Sequence, residues 1–91
     1  MKLKWTSKAL SDLVRLYELL SHKDKLAAVR VVQALTKAPN ILMGSPRIGE
    51  QLFEFEPREV RRFLAGHYEM RYEIQESTIY ILRLWHTRED R

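Results

Sequence analysis

Residues 59–91, EVRRFLAGHYEMRYEIQESTIYILRLWHTREDR, decide the fold. They hold three strand-like runs between short turns and end in a polar cluster, His86-Thr87-Arg88-Glu89-Asp90-Arg91. In the middle run Tyr68, Met70, Tyr72 and Ile74 alternate with Glu69, Arg71 and Glu73. That alternation predicts a strand with one face on a core and the other in water. Gly66-His67 reads as the turn before it and Glu76-Ser77 as the turn after it. The last run, residues 78–85, puts Ile79 and Ile81 on one side and Tyr80, Leu82 and Leu84 on the other. Apolar residues on both sides fit either a central strand or a bulge near residues 81–82 that switches faces. Residues 60–65 alternate less regularly.

The upstream residues supply a cover for this sheet. Lys2-Leu3-Lys4-Trp5 alternates as a short first strand. Thr6 or Ser7 offers an N-cap oxygen, and Leu10, Leu13, Val14, Tyr17 and Leu20 follow at helical spacing, with Asp12 in the favourable first turns. Ser21-His22-Lys23-Asp24 breaks the pattern and caps a second helix. That helix carries Leu26, Val29, Val32 and Leu35 inward, with Ala28 and Val31 widening the stripe, and stops before Pro39. So short a turn makes the two helices antiparallel neighbours. Residues 39–50 hold two of the three prolines and two of the three glycines, a loop with fixed bends whose Ile41, Leu42, Met43 and Ile48 pack down. Residues 52–55 read as a short strand or extended arm ended by Pro57. The expected architecture is α+β in two layers: an N-terminal strand and an antiparallel helical hairpin packed on a mainly antiparallel sheet, all in one domain spanning 1–91.

Composition narrows the function classes. At 45% hydrophobic and 31% charged the chain is globular rather than disordered. With no cysteine there is no disulfide framework and no thiolate nucleophile. No signal-peptide pattern or membrane-length apolar run is visible, so a cytoplasmic protein without membrane contact is expected. The net charge of +4 is unevenly divided. Residues 1–37 hold six Lys and two Arg against three acidic residues, whereas residues 38–91 hold eight Arg against nine acidic residues. The basic excess lies in the helical half, which suits an acidic protein partner at least as well as nucleic acid.

The chemistry-bearing residues are few. His22, His67 and His86 lack metal-ligand spacing, and neither a metal nor a cofactor is expected. His22 and His67 fall in turns. His86, at the end of a buried strand beside Trp85 and two residues before Arg88, can transfer a proton or simply cap the sheet by bonding a backbone carbonyl. Arg61, Arg62, Arg71 and Arg83 lie on the three strands. They either line up as an anion-gripping patch or pair with Glu59, Glu69 and Glu73. Tyr68 and Tyr72 share the apolar face and read as core. No phosphate loop, carboxylate pair or serine triad is present.

The segments Val60-Arg61-Arg62-Phe63, Tyr68-Glu69-Met70-Arg71-Tyr72-Glu73-Ile74 and Ile79-Tyr80-Ile81-Leu82-Arg83-Leu84-Trp85-His86-Thr87-Arg88 together resemble the C-terminal signature of the RelE/ParE superfamily of bacterial toxins. The upstream strand, helical hairpin and Gly44-Ser45-Pro46-Arg47-Ile48-Gly49 loop agree, so the resemblance covers nearly the whole chain. It implies the toxin of a type II toxin–antitoxin pair, in a hetero-oligomer with an antitoxin whose C-terminal segment folds over the toxin. An acidic amphipathic segment of that kind would suit the helical half at Arg15, Lys23, Lys25 and Arg30. Two mechanisms divide the superfamily. RelE-like members cut messenger RNA on the ribosome, and that reading would use Arg62, Arg83, His86 and Arg88. Two features depart from it: no tyrosine follows Tyr80, and Glu69 stands where ribonuclease members carry arginine. The His86-Thr87-Arg88 ending looks more like ParE, whose members poison DNA gyrase. That branch brings no catalytic set, and Arg61, Arg71, Arg83, His86 and Arg88 become candidate contacts to target or antitoxin.

Overall fold

The last strand of the chain sits inside the sheet because the first strand pairs with it. In the computed structural model, which describes residues 1–89, β1 (Lys2–Trp5) runs parallel to β5 (Thr78–His86). β2 (Glu50–Gln51), β3 (Glu59–Ala65) and β4 (Tyr68–Gln75) complete an otherwise antiparallel sheet of order β1-β5-β4-β3-β2. The two helices, α1 (Ser7–Ser21) and α2 (Lys25–Lys37), pack against each other, and α1 also packs on β5. This is the α+β arrangement expected from the sequence. Asp90 and Arg91 of the terminal polar cluster lie outside the described residues.

Local chemistry explains the boundaries. Thr6 accepts the Ala9 N–H and Asp24 the Ala27 N–H, each satisfying a donor that a helix start leaves open. Pro39 ends α2 and opens a 3-10 turn, Ala38–Met43. The β3–β4 and β4–β5 turns need left-handed backbone, supplied by Gly66 at φ +62° and Glu76 at φ +54°. Both readings of β5 hold together: it is central, and it bulges. Arg71 faces Arg83 while Tyr72 faces Ile81, leaving Leu82 unpaired and returning Leu84 to the core side.

The core joins Leu13, Leu16, Leu35, Leu42, Met70, Tyr72, Ile79, Ile81 and Leu84. Burying each such side chain contributes roughly 1.5–3 kcal/mol. The Tyr72 hydroxyl accepts from the Gly49 N–H at 3.0 Å and donates to the Pro46 carbonyl at 2.7 Å, pinning the long loop to the sheet. A Cβ on Gly49 would stand 2.7 Å from that hydroxyl and 2.6 Å from the Arg62 carbonyl, so only glycine fits there.

Several sequence expectations are corrected. The buried face of α1 is Ala9, Asp12, Leu13 and Leu16, while Leu10 and Val14 are 50% and 58% exposed. The stripe sits about one position away, with Asp12 turned inward to bond Arg83 and the Leu84 N–H of β5. Asp12 is therefore a buried anchor and not a first-turn charge. On α2, Ala28 and Leu35 are buried and Val31 and Val32 half-buried, while Leu26 and Val29 are exposed. The small Ala28 faces inward instead. Of the four loop residues expected to pack down, only Leu42 is buried; Ile41, Met43 and Ile48 are exposed. Residues 53–55 form a 3-10 turn rather than a strand, and the strand pairing falls at β2 just before it. Finally, the polar side of β4 is not in water. Glu69 and Glu73 are 8% and 4% exposed, because arginines and the 53–55 turn cover them.

Candidate functional site

Two features concentrate polar chemistry on the sheet: a row of arginines on the face away from the helices, and the edge of β5 beyond the end of β1. The register places Arg62 opposite Arg71 and Arg71 opposite Arg83, so three like charges cross adjacent strands. Such a row repels itself unless countercharges are interleaved. They are. Arg62 binds Glu50 and Glu69 at 2.8 and 3.1 Å, and Arg83 binds Asp12 at 2.8 Å. Arg71 lies 3.7 Å from Glu69, with its guanidinium 5.0 Å from the Trp85 ring centre and 5.3 Å from that of Phe55. Arg58 grips Glu73 through two bonds of 2.8 and 3.1 Å. The Arg58 hydrogen bond, helped by Arg58's charge, holds the Glu73 carboxyl below its ordinary range despite burial.

β1 pairs with β5 only as far as Ile81, so the β5 backbone beyond it needs other partners. Side chains supply them. Thr6 Oγ1 donates to the Ile81 and Leu82 carbonyls, Asp12 accepts the Leu84 N–H at 2.9 Å, and Arg15 donates to the Leu84 carbonyl. Glu89 turns back to accept the His86 N–H and pairs with Arg15 at 3.2 Å. Burial raises the Asp12 carboxyl. The Arg83 hydrogen bond, the Leu84 N–H and the charges of Arg83 and Arg15 outweigh that and leave it lowered.

The candidate residues are thus divided. Arg61 is a latch, binding Glu59 at 2.9 Å and the Gly49 carbonyl at 2.8 Å. The Arg47 hydrogen bond lowers the Glu59 carboxyl, with Arg61 adding to it. Arg62, Arg71 and Arg83 share the row. His86 faces the helix side, its ring 5.1 Å from Tyr68 and 6.0 Å from His67. Its Nδ1 accepts the Arg88 N–H at 3.0 Å, a backbone donor rather than the backbone carbonyl of the capping alternative. Arg88 is exposed in the following turn. Arg62, Arg83, His86 and Arg88 are therefore not gathered into one pocket. Of the helical candidates, Arg15 is drawn into the β5 edge, while Lys23, Lys25 and Arg30 are exposed. His22 lines a groove of about 550 Å3 on α1, with Leu10, Val14 and Leu19 as its exposed apolar residues.

Comparison with known proteins now identifies the chain's kin. Residues 3–91 match the family model described as the ParE toxin of the type II toxin–antitoxin system parDE. The chain belongs to the ParE toxin family. A solved structure described as the chromosomal ParDE toxin–antitoxin system from P. aeruginosa is similar, with a TM-score of 0.80 and 25% identity over 94% of this chain and 95% of that one. No curated protein sequence matches.

Within this ParE-family chain, the sequence placed Asp12 in a helical turn and Phe55 in an extended arm without revealing their part in the site, and gave Arg58 no role. Asp12 sits in an apolar helical stripe, and Phe55 and Arg58 flank Pro57. Only the register and the fold-back of the 53–55 turn bring them to the sheet. Among the described residues no group of three His, Asp or Glu side chains converges as a metal would need, and no helix is long and apolar enough to cross a membrane.

Proposed function

We propose that this ParE-family chain inhibits DNA gyrase by protein contact in the cytoplasm and is neutralised by a cognate antitoxin. Family membership over residues 3–91 carries the reading. The layout of the sheet supports it over the ribonuclease alternative. Arg62 and Arg83 are held by carboxylates on one face, His86 packs on Tyr68 on the other, and its Nδ1 is occupied by a backbone donor. General acid–base work needs the acid, the base and the phosphate-stabilising cation around one reacting atom.

An antitoxin segment has a fitting surface on the helices. Leu10, Val14 and Leu19 line the open α1 groove, and Lys23, Lys25 and Arg30 make no ion pair among the described residues. An amphipathic acidic helix matches both properties. The test adds the purified chain to gyrase supercoiling and DNA-cleavage reactions, with ribosome-bound message in parallel. Loss of supercoiling with accumulated cleaved DNA is expected, and prior addition of antitoxin reverses it. An unaffected gyrase beside cut message would reverse the ranking.

A further inference from the structure

A cleft of about 460 Å3 lies between the first turn of α1 and the outer face of the sheet, walled mainly by Lys8, Phe55, Arg58, Arg71, Leu82 and Arg83. Four of these are cations, and no carboxylate lines the cleft. The carboxylates stand behind the arginines and orient them. Asp12 holds Nε and Nη2 of Arg83, and Glu73 holds Nε and Nη2 of Arg58, leaving Nη1 of each without a partner among the described residues. Arg71 is clamped between Phe55 and Trp85, and its buried Nε has no hydrogen-bond partner among the described residues. Lys8 is exposed and pairs with no described carboxylate. Guanidiniums fixed in this way lose little further freedom on binding an anion.

We propose that this cleft binds the phosphate backbone of a nucleic-acid strand, with Lys8, Arg58, Arg71 and Arg83 as donors and Phe55 as a surface for a base. A lone protein carboxylate is satisfied by one arginine. Several fixed cations beside an aromatic ring match a ligand of repeating charge and flat bases. The inference goes beyond gyrase inhibition and stands whether or not gyrase is the target, since binding is measured without it.

The test is fluorescence anisotropy of a labelled single-stranded DNA of about 12 nucleotides, titrated with the intact chain between about 50 and 200 mM salt. Lys8→Glu is the informative variant, because an acidic residue in the first turn favours α1 and leaves the fold intact by thermal melting. It is expected to weaken binding roughly tenfold and to reduce the salt slope by about one or more. Lys25→Glu, the same charge change on α2, is expected to stay within about twofold, since exposed charges away from the site are screened. Absence of binding, or equal losses in the two variants, would overturn the proposal. So would displacement of the oligonucleotide by a polyglutamate peptide at lower charge concentration, which would assign the cleft to an acidic protein segment.

Discussion

Replacing Asp12 with Ala takes the acceptor from the Leu84 N–H, from two N–H groups of Arg83 and from Arg15 at one stroke. A buried N–H left without a partner costs about 1–3 kcal/mol, and Asp12→Ala is expected to destabilise by at least that much in urea unfolding. Asp12→Asn, keeping the shape, is expected to lose less. The same residue predicts acid sensitivity. Its folded pKa is depressed, as are those of Glu59 and Glu73, so their contribution is fully present above the ordinary carboxylate pKa. It disappears as pH falls through the depressed folded values. Melting temperature is therefore expected to hold at neutral pH and drop on acidification below the ordinary carboxylate range, with a smaller drop in Asp12→Asn. None of this was legible in the sequence. An aspartate amid leucines gives no sign of whether it faces water or the β5 backbone that β1 leaves open. Arg61 and Arg62 were half legible: the interspersed glutamates announced pairing, but not which glutamate each would take.

The β5 bulge decides the elements around it. Without the extra residue at Leu82, Leu84 would leave the core and Arg83 would enter it. The apolar residues on both sides of residues 78–85 pointed to this element correctly, because a strand of strict alternation would leave half of them in water. The helices were harder to read. α1 carries Leu10, Leu13, Val14, Leu16, Leu19 and Leu20, more apolar residues than one face can bury, and spacing alone selects no arc. The surplus remains outside as the α1 groove. Val14→Glu, at a 58% exposed position, is therefore expected to shift stability by no more than about 0.5 kcal/mol. The same change places an acidic group where an acidic antitoxin segment would dock, and affinity for the antitoxin by calorimetry is expected to fall at least tenfold, about 1.4 kcal/mol. Unchanged affinity would remove the groove from the antitoxin interface.

Across the whole molecule, charge divides between the two halves of the chain. The helical half carries the basic excess and, at Leu10, Val14, Leu19, Leu26 and Val29, about half of the large exposed apolar residues, which suit a protein partner. The sheet carries arginines tied by carboxylates, with Arg62 and Arg83 on one face and His86 on the other. The family was legible from the ordered strand segments of residues 60–88 and is borne out by the match over residues 3–91. The division of His86 from Arg62 and Arg83 was not, because a bulge, invisible to simple alternation, sets which face each residue takes. Target choice is tested most directly in cells expressing the chain, by mapping gyrase-linked DNA breaks and messenger RNA 5′ ends in the same culture. Gyrase-linked breaks with intact message are predicted. Message cut at ribosomes without such breaks would contradict gyrase inhibition by this chain.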